Sequence, residues 1–150
     1  MDKEILKKIY KFCAYQERYS AEVKRKLHGM GTLSNEVPLM LVHLEEEGFL
    51  NDTRYAHSFA RGKFSQKKWG KIKIRQSLRE KGIDDTLIYQ AILQEIEEED
   101  YLQTLSYLVE KKKKDIPDLT QPKEKAKMIR FLQQKGYETS LIFKALQEDR

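Results

Sequence analysis

Two stretches of the chain repeat each other, KIKIRQSLREKGIDDTLIYQAIL at 71–93 and KAKMIRFLQQKGYETSLIFKAL at 125–146. When they are aligned, Gly82 falls on Gly136, and the apolar positions on both sides of the glycine coincide as well. Those apolar residues recur at three- and four-residue spacing, which is typical of one face of an α-helix. Each stretch therefore predicts a helix, a glycine turn and a second helix, and the pair indicates an internal repeat.

The first third of the chain carries a weaker copy of the same pattern. Leu27 and Gly31 match Leu78 and Gly82, although the segment after the glycine aligns only with a gap. We therefore predict an all-α protein of three tandem three-helix repeats. The predicted repeats are 1–50, 51–98 and 99–150. Because a unit of about 50 residues buries only a small core, we expect the repeats to stack into an elongated, curved molecule.

Residues at the predicted helix ends fit the known capping preferences. We expect side-chain caps at Ser20, at Ser34 or Asn35, and at Asp52, since each offers an oxygen to the free N–H groups of a first turn. Glycines that end helices follow the periodic runs. They are Gly29, Gly31, Gly48, Gly82 and Gly136.

The same periodicity predicts which residues are buried and where the chain is loose. Cys13 shares an apolar helix face with Ile5 and Ile9, so we expect a core residue rather than a nucleophile. A second buried face is expected at Leu102, Leu105, Leu108 and Val109. The stretch KKKKDIPDLTQP at 111–122 combines a lysine run with two prolines, and it predicts an exposed loop at which the third repeat can hinge.

The composition excludes several classes of protein. None of the 150 residues belongs to an apolar run long enough to cross a bilayer, so we expect no contact with a membrane. The single cysteine rules out an internal disulfide. With an N-terminus that lacks the apolar run of a signal peptide, it fits a cytoplasmic protein. The 29 Lys and Arg against 24 Asp and Glu give a net charge of +5, which does not by itself select a partner.

The charge is distributed in blocks of opposite sign. Residues 53–83 hold ten basic residues and one acid, a net charge of +9, whereas 32–52 hold five acids and 84–100 hold seven, with no Lys or Arg in either. A basic block of this size favours an anionic partner, because like charges on one segment repel. For the acidic runs 45–47 and 97–100 we consider solvation, local repulsion of nucleic acid, and pairing with lysines of a neighbouring repeat.

We expect the basic block to form a contact surface for that partner. Arg75 and Arg79 are neighbours at i, i+4, and Lys68 joins their stripe if the helix begins near Lys68. Trp69, just before this helix, is expected to pack in a junction between helices rather than to stack on a base. The candidate binding residues are Arg54, Arg61, Lys63, Lys67, Lys68, Lys71, Lys73, Arg75 and Arg79, with Lys24 from the first repeat.

Signals for catalysis are sparse. His28, His43 and His57 stand 15 and 14 residues apart, and none combines with Cys13 into the spacing of zinc ligands. The chain also lacks the glycine loops that bind phosphate in nucleotide sites. We therefore predict no enzyme activity, no catalytic residue, no cofactor and no metal site.

LEEEGFLNDTRYAHSFARGK at 44–63, followed by WGKIKIRQSLREKGIDDTLIYQAI at 69–92, resembles the RecX family of bacterial recombination regulators. The shared pattern is an acidic-Gly-apolar-acidic-Arg-aromatic-Ala run, a Gly-basic-x-Ile helix and then Lys-Gly-Ile. Asn51 stands where the family commonly has an acid, but the expected cap at Asp52 remains, so we expect little effect. The resemblance is most specific in the second repeat and extends more loosely over the whole chain.

The resemblance implies three tandem three-helix repeats and a non-enzymatic role in homologous recombination. Members of the family bind the RecA recombinase, lie in the groove of its filament on DNA, and restrain ATP hydrolysis, filament growth and strand exchange. The expected partners are therefore the RecA filament and single- or double-stranded DNA, which a monomer touches directly without sequence preference or through RecA.

Two other functions stay open at this point. Three-helix units with a basic helix are compatible with helix–turn–helix readers of duplex DNA. Against this, the third helices are acidic or neutral, and Asp84, Asp85 and the acids of 95–100 would repel phosphate. The second alternative is a helical scaffold that binds other proteins but neither RecA nor DNA. The salt dependence and sequence preference of DNA binding, measured with and without RecA, separate these functions.

Overall fold

The computed structural model describes residues 2–148, and within them it consists of nine α-helices without a strand, as the periodicity predicts. In chain order they are α1 (Lys3–Tyr15), α2 (Ser20–Gly29), α3 (Val37–Glu46), α4 (Asp52–Lys67), α5 (Lys71–Glu80), α6 (Asp85–Glu95), α7 (Glu98–Lys113), α8 (Pro122–Lys135) and α9 (Thr139–Glu148). In this part of the chain, no helix is both long enough and apolar enough to cross a membrane.

Contacts between residues divide the chain into two compact units. The first comprises the residues up to Ser58 together with Leu78–Ala91, and the second comprises Phe59–Ser77 together with the residues from Ile92 onward. The chain therefore passes from one unit to the other within α4, α5 and α6. The division into three repeats of three helices stays a prediction.

The core of the first unit is formed by one apolar face each from α1, α2 and α3. Ile9, Val23 and Met40 are completely buried in it. Cys13 lies in the same cluster, as predicted. Burial raises the pKa of the Cys13 thiol, because a thiolate is poorly solvated there. This cysteine is therefore a packing residue.

The caps of α2 and α4 differ from the sequence prediction. Ser20 is the first residue of α2 rather than its cap, and its backbone N–H donates to the carboxylate of Asp52 at 2.8 Å. Asn51 caps α4, because its side-chain oxygen accepts from the N–H of Arg54 at 3.0 Å. The predicted caps at Ser20 and Asp52 are thus wrong: Asp52, which opens α4, serves the start of a different helix.

The turn before α3 also differs from its prediction. The N–H groups of Glu36 and Val37 both donate to the carbonyl of Leu33, at 2.9 and 3.2 Å. The backbone of the turn thus takes the place of a side-chain cap, so neither Ser34 nor Asn35 caps α3. After α2 the left-handed residue is Gly31 alone, whereas Gly29 is still helical.

The core of the second unit lies among α7, α8 and α9, which pack against one another. Tyr101 and Tyr137 are its largest fully buried side chains. Of the four residues predicted to be buried together on α7, three are buried, but Leu102 is 41% exposed. The prediction for Leu102 is wrong because the neighbouring Tyr101 occupies the inward position, where its hydroxyl finds hydrogen-bond partners.

The lysine run that begins at 111 is largely helical. α7 continues to Lys113, and α8 begins at Pro122, so the connection is confined to 114–121. Lysine is a good helix former, and its positive charge is favourable at the C-terminal end of a helix. The predicted loop over 111–122 is therefore wrong at both ends, and the hinge stays a prediction.

Candidate functional site

The start of α5 is joined to the end of α8 by backbone hydrogen bonds. The N–H of Gly70 donates to the carbonyl of Lys135 at 2.7 Å, and the N–H of Ile72 donates to the carbonyl of Gly136 at 3.0 Å. The free N–H groups that open one helix thus satisfy free carbonyl groups that close the other. The positive end of one helix dipole also meets the negative end of the other. This junction fixes the basic start of α5 beside Lys135.

Two glycines permit the close approach. A β-carbon on Gly70 would lie 2.3 Å from the carbonyl carbon of Gly136, and a β-carbon on Gly136 would lie 2.4 Å from that of Lys73. Gly136 also has a φ angle of 102°, in the left-handed region that favours glycine. Neither position accepts a side chain unless the two backbones move apart.

Two buried tyrosines hold the same junction. The hydroxyl of Tyr101 accepts from the N–H of Lys71 at 2.9 Å and donates to the carboxylate of Glu138. The hydroxyl of Tyr137 donates to the carbonyl of Lys68 at 2.9 Å, and the two rings are stacked with centroids 5.0 Å apart. Burial raises the pKa of both hydroxyls, reinforced at Tyr101 by the hydrogen bond to Glu138, so both keep their protons at neutral pH.

Trp69 packs at the junction between α4 and α5, as predicted. Its ring meets that of Phe59 edge-on, with centroids 6.1 Å apart. The ammonium groups of Lys63 and Lys73 lie 4.9 and 4.5 Å from the Trp69 ring centroid, within the range of cation–π attraction. The indole is thus engaged by side chains of its own unit.

Four of the predicted binding residues are engaged by carboxylates of the same chain. The pairs are Arg54–Glu17 at 2.8 Å, Arg61–Glu95 at 2.9 Å, Lys71–Glu98 at 2.9 Å and Arg79–Asp85 at 2.8 Å. Exposed ion pairs stabilise a fold by only about 0–1 kcal/mol each, but they lower the charge that is available to a partner. The sequence did not reveal these pairs, because the partners of Arg54, Arg61 and Lys71 are 27 to 37 residues away.

The other six predicted residues are distributed over three places. Within residues 2–148, none of the six is paired with a carboxylate. Lys24 is exposed on α2, Arg75 is half-buried on α5, Lys63 and Lys73 flank Trp69, and Lys67 and Lys68 follow each other at the end of α4.

Lys68 does not belong to α5. It lies between α4 and α5 with a φ angle of 57°, in the left-handed region, and its carbonyl is held by Tyr137. The predicted stripe of Lys68, Arg75 and Arg79 is therefore wrong, because the chain turns before α5 begins.

Lys67 and Lys68 line a groove together with side chains of α7 and α8. The central hollow of this lysine groove has a volume of about 400 Å³. It is lined by Lys67, Lys68, Lys111, Lys112 and Lys135, with Gln66, Tyr107, Leu108, Asp115 and Phe131. Burial, together with repulsion from Lys73, Lys111, Lys68 and Lys67, lowers the pKa of Lys135. A crowded group of cations therefore surrounds it.

Sequence reasoning missed three of these lysines. Lys111 and Lys112 stood in a segment predicted as a loop, and the charge count offered no reason to single out Lys135. Their proximity to Lys67 and Lys68 follows from tertiary packing, which for Lys135 includes the junction between α5 and α8. The lysine run itself was the one signal that pointed to this place.

Of the three histidines, His43 has a structural contact. The ring of His43 is hydrogen-bonded to the hydroxyl of Tyr10, which in turn packs on Phe49 with centroids 4.5 Å apart. Among the residues that the structure describes, no group of three His, Cys, Asp or Glu side chains could hold a metal ion.

Comparison with known proteins places these features in a family. Residues 51–92 match the model of the second three-helix domain of RecX, and residues 98–146 match that of the third. The chain is 34% identical to "Regulatory protein RecX" of Vibrio parahaemolyticus over 125 residues, which cover 83% of this chain and 78% of that protein. It is 31% identical to the protein of the same name from Bacillus mycoides, across 91% of this chain.

Two further facts define the extent of the likeness. The crystal structure of RecX from Lactobacillus salivarius superposes with a TM-score of 0.82 at 24% identity, across 97% of this chain and 96% of that one, so the folds agree. The matched region of this chain spans 50% of the length of the Bacillus mycoides relative. The Vibrio relative is matched over most of its length, and this chain belongs to the RecX family.

Proposed function

We propose that this chain regulates the RecA recombinase, mainly as an inhibitor. In this proposal a monomer lies in the groove of the RecA–DNA filament and restrains ATP hydrolysis, filament growth and strand exchange. Membership of the RecX family over nearly the whole chain carries the proposal. The repeats 1–50, 51–98 and 99–150 would contact successive subunits of the filament.

The ion pairs narrow the choice of contact residues. Arg54, Arg61, Lys71 and Arg79 each have a carboxylate of this chain within 2.9 Å, so a partner would have to compete for them. Arg75 has no such pair within residues 2–148, and we assign it the leading role on α5 in contacting RecA acids or DNA phosphate.

Co-sedimentation with RecA filaments on single-stranded DNA tests this assignment. Arg75→Glu reverses a charge on α5, and Lys144→Glu makes the same change at an exposed position of α9. Arg75→Glu should weaken association with the filament by at least about tenfold, because like charges placed across an interface cost several kcal/mol, whereas Lys144→Glu should leave it unchanged. Equal binding by two folded variants would remove Arg75 from the contact.

A further inference from the structure

The lysine groove extends beyond its central hollow. A second hollow of about 310 Å³ shares Lys68 and Tyr107 with the central one, and a third of about 270 Å³ shares Lys112, Asp115 and Phe131 with it. All three lie within the second compact unit. Three hollows with common walls make an elongated track, which fits a linear chain better than a compact small ligand.

The track is strongly basic. Seven basic side chains line the three hollows, against the two carboxylates of Asp100 and Asp115. The seven are Lys67, Lys68, Lys111, Lys112, Lys127, Lys135 and Arg130. Lys112 is paired with Asp115 at 3.9 Å and Lys127 with Glu124 at 3.2 Å. Within residues 2–148 the other five, Lys67, Lys68, Lys111, Lys135 and Arg130, have no carboxylate partner, and repulsion among the lysines adds to burial in lowering the pKa of Lys135. An anionic chain with regularly spaced charges would relieve this repulsion.

Lys68 holds its place at a conformational cost. Gly31, Gly48, Gly82 and Gly136 have positive φ angles, and Lys68 is the one residue besides glycine with a positive φ angle in residues 2–148. Glycine adopts that conformation with less strain than lysine does. A lysine in the groove wall, at a position where glycine would favour the fold, indicates that its side chain serves a contact.

Tyr107 gives the track an exposed aromatic surface. Its side chain is 50% exposed and lies in the wall shared by the central and second hollows. The ammonium groups of Lys68 and Lys111 lie 5.4 and 6.0 Å from its ring centroid. Exposed rings with lysines beside them are the usual arrangement for stacking an unpaired base while the cations hold its phosphates.

We propose that the lysine groove binds single-stranded nucleic acid, with the phosphates against its lysines and one base stacked on Tyr107. The ring selects a single strand, because the bases of a duplex are stacked on each other and do not offer their faces. An acidic protein segment would satisfy the lysines but would make no use of Tyr107. Arg75 is not among the residues that line the groove, and binding of nucleic acid in the groove does not require RecA.

Fluorescence anisotropy with a labelled oligothymidylate, without RecA and at increasing salt, tests the proposal. Tyr107→Leu should weaken binding by about five- to 150-fold, the measured worth of one stacked base, and Tyr107→Phe should retain it because the ring face is kept. Lys68→Gly should lower the slope of log affinity against log salt by about 0.7, as expected for one lost phosphate contact. The melting temperature of the Lys68→Gly variant should be unchanged or higher, because glycine adopts the positive φ angle of position 68 more easily than lysine does.

A control variant outside the groove and three contrary results complete the test. Lys144→Gln removes an exposed lysine of α9 outside the groove and should leave affinity and slope unchanged. Binding that is insensitive to both Tyr107→Leu and Lys68→Gly would overturn the proposal. Tighter binding of the matching duplex, or competition by polyglutamate as effective as that by unlabelled strand, would also overturn it. If RecA is still inhibited in that case, the proposed function stands without this site.

Discussion

Replacing Gly70 with alanine should separate the start of α5 from the end of α8 and thereby destabilise the second unit. The new β-carbon would lie 2.3 Å from the carbonyl carbon and oxygen of Gly136 and 2.5 Å from the nitrogen of Tyr137. Unstrained contacts between heavy atoms need about 3.5 Å, so the start of α5 must move by roughly 1 Å from the end of α8. These atoms are all backbone, so no rotamer change relieves the clash.

The size of the expected loss in stability follows from the hydrogen bonds and the packing that this movement disturbs. Two hydrogen bonds join the helices, from Gly70 to Lys135 and from Ile72 to Gly136, and each contributes about 1 kcal/mol. Overpacking of a well-filled contact costs about 1–3 kcal/mol more. We expect a loss of about 3–5 kcal/mol in the free energy of unfolding, and a fall in melting temperature of roughly 6–20 °C for a chain of this size.

Thermal unfolding followed by circular dichroism measures this loss, and Gly62→Ala is the matched control. Gly62 lies inside α4, and a β-carbon there meets no atom within 4 Å. Alanine at this position should stabilise the helix by about 0.5–1 kcal/mol. Hydrogen exchange at the Ile72 N–H should also accelerate in Gly70→Ala. A Gly70→Ala variant as stable as Gly62→Ala would refute the close approach of α5 and α8.

Three further predictions concern other parts of the chain. Asp52→Ala should lower the free energy of unfolding by about 1 kcal/mol in urea titrations, because the start of α2 loses its cap. Asp52→Asn should keep most of that stability, because the amide oxygen can still accept the hydrogen bond. Equal losses in the two variants would count against the cap. Burial raises the pKa of Tyr55 from 10.0 to about 12, and the pKa values of Tyr101 and Tyr137 are raised as well. Because the pKa of each of these tyrosines is higher in the folded state than in the unfolded state, their burial in the un-ionised form contributes to the stability of the fold. This contribution is fully present below pH 10.0 and is lost as the pH rises above it. An ultraviolet titration should show the ionisation of these three rings together with loss of helical signal, and their ionisation in the folded protein near pH 10.0 would contradict it. Cys13 should react with a thiol reagent at the rate of unfolding, and rapid labelling of the folded protein would show that it is not buried.

The sequence predicted features that depend on local spacing. Helix periodicity gave the all-α class and the burial of Cys13, and the aromatic character and position of Trp69 gave its packing between α4 and α5. Such features follow from the pattern of neighbours at three and four residues, which one helix turn fixes.

Features that depend on distant partners were wrong or missed. Asp52 caps α2 across 32 residues, and Lys71 is paired with Glu98 across 27, so neither local rule applied. The lysine groove brings Lys67 next to Lys135 because Gly70 and Gly136 let two backbones meet. A charge count along the chain reports none of this, since it ignores which charges are already neutralised within the fold.

The rate of ATP hydrolysis by RecA on single-stranded DNA, titrated with this protein, tests the proposed function most directly. We expect the rate to fall progressively as the protein approaches stoichiometric amounts, with a weaker fall for Arg75→Glu than for Lys144→Glu. An unchanged rate at stoichiometric ratios, with the protein folded and RecA active, would contradict the proposal that this chain regulates RecA.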